Sequence, residues 1–405
     1  MTRRRREGGV GGGRSRCVAA AALFPALAAA LLAGCGALSM DRVAEQAPAP
    51  EPPPWTMEAG DPGRTSRAPD RAPGEWTVSQ TIPLKARPGY KPTEHAMPLI
   101  VGGVIYVGHS GRVFEARRLD GTLLWSVPTE GRVYATAAYA GGLLIVGDDQ
   151  GTVRALDLSG REVWTFPTGY PVVSAPLVRG GRVYIAVADQ NVFCLEALTG
   201  RPLWQYGRGF PRRDSLWRSL GLSYGDGRVY AGFADGHLVA LEEDLGRVVW
   251  RVELGAAALF GDVAAGPSFR DGRVYAGALR GPTVCLDAAT GEELWSQPVE
   301  AVGWFAVGDE RLYVGTAGGE LAALSRKDGK VQWRTPLDGG LPTSPVLAGR
   351  SVVVGASEGS LFSLDAANGE VRGRYAPGPG LHAQPLVFGG GVLFLSNGAV
   401  LHRLQ

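Results

Sequence analysis

The sequence predicts an all-β fold: an eight-bladed β-propeller of four-stranded antiparallel blades, its ring closed by an N-terminal strand. Three observations lead there. Tryptophans recur at Trp125, Trp164, Trp204, Trp250, Trp295 and Trp333, 39, 40, 46, 45 and 38 residues apart, and a period near 40 residues with strand-like content marks propeller blades. Each period repeats one order of short apolar runs and tight turns. The 60 glycines, about 15% of the chain against a usual share of roughly 7%, supply those turns.

The propeller is expected over residues 74–405, behind two N-terminal segments. Residues 1–34 read as a signal peptide: Arg3, Arg4, Arg5, Arg6, Arg14 and Arg16 precede an uncharged apolar run from Cys17 to Leu32. That run is about 16 residues, short of the roughly 20 that span a bilayer. It ends in Leu32-Ala33-Gly34-Cys35, which resembles the processing box of bacterial lipoproteins and implies cleavage before Cys35 and lipidation of that residue. An ordinary signal peptide with a coincidental cysteine is the other reading. Gly36, where an Asp would mark retention in the inner membrane, favours the outer membrane. Removing the +5 of the leader from the formal +2 leaves about −3, which gives no sign of a nucleic-acid partner. Residues 35–73, with eight prolines between Pro48 and Pro73, read as a tether. Within it Trp55 and Gly60-Asp61-Pro62-Gly63-Arg64 are candidates to dock on the domain.

The second period shows the blade in full. Strands are expected at Ala135 to Ala140, Leu143 to Val146, Thr152 to Leu156 and Glu162 to Phe166, the last carrying the tryptophan. The second strand returns at Arg182 to Ala186, Arg228 to Gly232, Arg273 to Gly277 and Arg311 to Gly315. It is apolar at nearly every position, which suits a strand covered on both faces by neighbouring blades. The seventh period has Gly373 where the tryptophan would be. The eighth supplies strands at Gln384 to Phe388, Val392 to Ser396 and Val400 to Leu404, and then the sequence ends. Glu75 to Leu84, with Trp76 placed in the tryptophan register, is the expected fourth strand, and its insertion removes the open edges of the ring.

The repeated residues are expected to build the fold. Leu286-Asp287-Ala288-Ala289-Thr290-Gly291-Glu292-Glu293-Leu294-Trp295 resembles the repeat of quinoproteins, which bind pyrroloquinoline quinone in such propellers. A motif present in nearly every blade cannot be one site, so its acid and glycine shape a turn while the indole wedges between blades. Burying one indole contributes about 4 to 6 kcal/mol gross. The quinoprotein dehydrogenases also carry an adjacent cysteine pair, calcium-binding carboxylates and a catalytic Asp. None stands out here, so no catalytic residue, cofactor or metal is expected. Cys194 and Cys285 lie in apolar strands and read as small buried hydrophobes. Gly355-Ala356-Ser357-Glu358-Gly359 has the spacing of a hydrolase elbow, but in a strand-to-strand turn. His95, His109, His237, His382 and His402 are scattered without metal-ligand spacing.

Irregularity in the repeat is where recognition is expected. The two longest intervals, 204 to 250 and 250 to 295, place extra residues in the connections entering blades four and five, on one rim. The first holds Leu216-Trp217-Arg218, and Trp and Arg are the residue types most enriched in binding hot spots. The second runs from Ala256 through Phe260 to Asp262. Packing of Trp217 and Phe260 at the channel mouth is the competing explanation.

With Leu341 to Leu347, Val353 to Gly359 and Gln384 to Val387, the chain resembles the BamB family of outer-membrane assembly lipoproteins. The resemblance implies a Leu/Arg loop entering blade four, beside an acidic loop entering blade five, that binds a POTRA domain of a BamA-like barrel protein. Leu216, Trp217, Arg218 and Asp262 occupy the matching positions, while Ala264 stands where a second Asp is expected. The implied role is a non-enzymatic scaffold on the periplasmic face of the outer membrane. The competitors are a propeller that binds a quinone or other small molecule, and a lipoprotein of an unrelated envelope complex.

Overall fold

Local chemistry sets each blade. The computed structural model describes residues 55–84, 93–207, 221–254 and 262–405. Paired glycines with positive φ, such as Gly141 (54°) and Gly142 (88°), turn the first strand of a blade into the second. An aspartate then closes the third-to-fourth turn: Asp157 accepts from the amides of Ser159 and Arg161, and Asp287 from those of Ala289 and Thr290. Apolar β-branched residues fill the strands between, and second strands such as Leu143–Gly147 are buried along their whole length.

Among the described residues, thirty-two strands form six four-stranded sheets and one eight-stranded sheet, with no helix. The larger sheet is two four-stranded meanders joined at the parallel bridge Ala265 to Gly303. The strands therefore divide into eight blades of four, the first beginning at Leu99–Val101 and the eighth at Leu386–Phe388. The expected second strands return at Arg182–Ala186, Arg228–Gly232, Arg273–Ala278 and Arg311–Thr316. Val78–Pro83 pairs antiparallel with Val400–Leu404 and completes the eighth blade from the N-terminal side. Apolar clusters lie between successive blades, and one of them joins Val346 and Val353, Phe394 and Leu401, and Ile105 and Val107 across the closure.

Each repeat tryptophan docks on the next blade. The indole N–H of Trp250 donates to the carbonyl of Ala288 (3.0 Å), and its ring lies against Gly291. Gly291 has φ of +77°, and a Cβ there would come within 2.8 Å of the ring, so the turn needs glycine on both counts. Trp125, Trp164, Trp204, Trp295 and Trp333 make the same bond to Leu158, Ala197, Glu243, Arg326 and Ala366. The repeat motif is thus structural, as the sequence indicates.

Two expectations are corrected. Trp76 is not in the tryptophan register; it precedes the strand, and its buried indole N–H meets no acceptor. Gln80 holds that register opposite Arg403, as Trp164 does opposite Ala155, and its amide donates to the carbonyl of Asp120 (2.6 Å). The tether reading is also cut back for residues 55–66, where Trp55 and the stretch Gly60 to Arg64 dock on the domain as expected. Trp55, Met57, Ala59, Arg64 and Ser66 are buried, so the folded domain begins upstream of residue 74. The tether upstream of residue 55, and the leader with Cys35, lie outside the described residues.

Candidate functional site

The proline and glycine content of residues 55–70 prevents a strand, and the segment instead crosses from blade to blade around the inside of the ring. The amide of Tyr139 donates to the carbonyl of Thr56, that of Tyr224 to Pro62, Phe269 to Gly63, Val307 to Thr65 and Leu347 to Ser66, all at 2.7 to 2.9 Å. Blade eight contributes Gln384, whose side chain accepts from the amide of Ala59 and donates to the hydroxyl of Ser66. The partners sit in or beside the innermost strands, near the first-to-second turns. The segment is a plug at that end of the central channel.

Arg64 is the centre of the plug. It is fully buried, donates to the carbonyls of Leu222, Ala175, Pro176 and Glu58, and lies 5.2 Å from the centre of the Trp304 ring. Burial draws the guanidinium down to about 10, against Glu58 and Asp61, which hold it up, so it remains cationic at neutral pH. Burial raises Glu58, partly countered by Arg64 and by the nearby Trp304 side chain.

Above the plug is a cavity of about 570 Å³. Its walls come from the connections entering the blades and from second-to-third turns. Glu58 forms part of the floor, with Tyr134, Asp149, Trp304, His95 and His382 among the lining residues. The imidazoles of His95 and His382 lie 4.9 Å apart, and His95 meets Tyr134 edge-on at 5.6 Å. His95 is exposed to the cavity yet enclosed by its walls. That enclosure, with His382 beside it, pulls its pKa down to about 4, so its ring is neutral at physiological pH. His382 is oriented by Asn397 (3.0 Å). The five histidines read as scattered, but ring closure brings these two together. Sequence reasoning also missed Trp304, which lies outside the tryptophan period, and Glu58.

Of the residues expected at the rim, Leu216, Trp217 and Arg218 lie outside the described residues. Asp262 is buried immediately before the strand Val263–Arg270, and its carbonyl accepts from the amide of Leu279 (2.9 Å). Its neighbours Val263 and Ala264 line the cavity, as does Gly221, the first described residue of the connection into blade four. The described ends of the two long connections, Gly221 and Val263 with Ala264, therefore line the cavity. Ser357 lies in a strand-to-strand turn, where its hydroxyl accepts from the amide of Leu341. Cys194 and Cys285 are buried and unpaired, and burial pushes both thiols up to about 12.

The family described as outer membrane protein assembly factor BamB matches residues 109–304 and 283–386, most of the propeller. The chain belongs to the BamB family. BamB from Moraxella catarrhalis superposes with a TM-score of 0.71 at 19% identity, covering 82% of this chain and 99% of that one. The computationally designed Ika8 protein gives 0.65 at 18%, with coverages of 80% and 99%. A quinohemoprotein alcohol dehydrogenase from Comamonas testosteroni gives 0.67 at 16%, with 86% and 80%. At these identities the likeness shows a shared fold. No curated protein matches the sequence.

The dehydrogenase likeness raises the question of pyrroloquinoline quinone, which carries three carboxylates. Among the described residues, those lining the cavity include Glu58 and Asp149 but no Lys or Arg. Arg64 and Arg132 stand behind the rings of Trp304 and Tyr134. Among the described residues a tricarboxylate would meet like charge and no lining cation, so that lining does not fit the group.

Proposed function

We propose that the chain is a non-enzymatic scaffold on the periplasmic face of the outer membrane, held by a lipid on Cys35, that assists insertion of β-barrel proteins. It does so by binding the POTRA region of a BamA-like partner with the rim entering blades four and five, where Leu216, Trp217, Arg218 and Asp262 lie. The observation that carries this reading is the BamB family match over residues 109–386. That Gly221, Val263 and Ala264, at the described ends of the two long connections, line the cavity supports it, because variable connections on a rigid ring are where partners are recognised. Trp217 and Arg218, of the residue types most enriched in binding hot spots, would act as anchors there.

The test is an affinity pull-down of the lipidated protein from its own membranes, wild type against Arg218→Glu, with mass spectrometry of what is retained. Retention of a BamA-like barrel protein by the wild type and its loss from the folded variant is the expected outcome. Absence of any assembly component from both samples would remove this reading. Enrichment of other envelope proteins in its place would point to an unrelated complex.

A further inference from the structure

We propose that the blind end of the central channel is a binding site for an organic cation, an amine or guanidinium group seated on Glu58 between aromatic walls. This goes beyond the scaffold reading, which requires no ligand in the channel.

Shape is the first argument. A channel open at both ends offers a ligand little enclosure, but residues 55–70 close this one by bonding to the innermost strands of successive blades. What remains is a pocket of about 570 Å³, within the range of roughly 300 to 1,000 Å³ typical of small-molecule sites.

Charge is the second. Glu58 and Asp149 line the pocket, while Arg64 and Arg132, which lie against the Trp304 and Tyr134 rings, do not. Arg64 is committed to the backbone carbonyls of Leu222, Ala175, Pro176 and Glu58. Arg132 reaches the hydroxyl of Tyr134 (2.6 Å). Among the described lining residues two are acids and none is Lys or Arg. Of the two imidazoles, His95 is neutral at physiological pH, and His382 is oriented by Asn397.

Surface chemistry is the third. Trp304, Tyr134, His95 and His382 present rings to the pocket, and a cation that has left water is stabilised over such faces. Trp304 and Glu58 both line the pocket, so an aromatic face and a carboxylate are offered to one ligand. Among the described residues, no three His, Cys, Asp or Glu side chains converge as metal ligands, so a bare ion lacks a coordination set.

Free polyamines and the side chains of a partner's basic segment carry the same group, and the experiment separates them. The full chain in detergent is titrated by calorimetry with spermidine, with a blocked Gly-Arg-Gly peptide, and with citrate as an anionic control. One cationic probe should bind saturably at one site, and citrate should not bind. Glu58→Gln should weaken binding by at least about tenfold, the scale of losing one charged hydrogen-bond partner. Val173→Lys places a resident cation on a half-buried lining position without touching the plug, and should abolish binding in a protein that melts like wild type. Binding by spermidine alone assigns a free amine; binding by the peptide assigns a partner's side chain. The proposal is overturned if neither cation binds, if both variants bind as wild type does, or if citrate binds more tightly than either. Unchanged retention of the barrel partner by Glu58→Gln in the pull-down keeps this result separate from the scaffold reading.

Discussion

The six seams from blade one to blade seven and the two that flank blade eight, where the ring closes, solve one problem in two ways. From Trp125 to Trp333, each blade sends an indole onto a glycine turn of the next and donates to a carbonyl there. At the closure that device stops. Gly373 stands in the tryptophan register of blade seven because the third and fourth strands of blade eight, which come from opposite ends of the chain, have no turn between them to receive an indole. The N-terminal chain occupies the space instead: a Cβ on Gly373 would lie 2.3 Å from the carbonyl of Gly74, and Ser363 donates to the carbonyl of Pro73 (3.4 Å). A local repeat holds the body of the ring, and contacts spanning some 300 residues hold its seam and its plug.

The comparison breaks first at the plug. Arg64→Ala leaves the carbonyls of Leu222, Ala175 and Pro176 without their donor and exposes Glu58 and Asp61 to each other without a cation. Removing one partner of a buried charged group costs about 4 to 5 kcal/mol. Denaturant unfolding should show that loss as a lower midpoint. If the plug and the ring unfold independently, two transitions will replace one.

Trp250→Ala tests the repeat. The indole is 8% exposed and packs against Tyr230, so its loss should cost about 3 to 4 kcal/mol. The carbonyl of Ala288 keeps the Tyr230 hydroxyl as a donor (3.3 Å), so the cost is chiefly cavity and lost contact. A fall below about 1 kcal/mol in the same unfolding measurement would mean that the seams do not depend on their indoles.

These two residues also mark what the sequence makes legible. Trp250 announces itself because a blade is a local object: its strands and turns lie within about 45 residues, and the period exposes them. The closing strand was found by counting, since eight repeats needed one more strand. Its register was not, because Trp76 looks like the repeat while Gln80, the residue in the register, does not. The floor of the pocket was hidden for a related reason. Glu58 and Arg64 sit in a proline-rich stretch whose composition reads as a linker; the sequence offers Trp55 and Gly60 to Arg64 as docking candidates, and the long-range bonds show that what docks is a plug. His95 and His382 are 287 positions apart, beyond the reach of any spacing argument.

Acid should weaken the seam more than the body of the ring. His402, in the strand that receives the closing strand, is buried between Tyr375 and Ser396 and stacked on Phe394. Burial lowers its pKa from 6.5 to about 4. The folded state therefore holds it neutral, and unfolding lets it take up a proton. Its contribution is fully present above about pH 6.5 and is lost as pH falls toward 4, on the order of 3 kcal/mol in all. Unfolding free energies measured across that window should fall for the wild type and fall less for His402→Asn. Equal slopes would show that the closing blade is not where acid acts.

Gln80→Ala is expected to have the smallest effect, and its smallness is informative. Gln80 takes the tryptophan position, yet it is part-exposed and offers one amide bond to Asp120. Ile82 fills the space against Gly121 that an indole fills elsewhere, with 2.9 Å between that side chain and a Cβ placed on the glycine. The loss should be about 1 kcal/mol, the scale of one neutral hydrogen bond. For the same reason Gln80→Trp should bring no gain, because Ile82 already holds the seat. Unfolding of the two variants beside Trp250→Ala decides whether the closure is a weakened copy of the repeat or a separate device. If Gln80→Trp stabilises the ring by as much as Trp250→Ala destabilises it, the seam was an unfilled copy. If it does not, the strand pairing and the plug hold the closure.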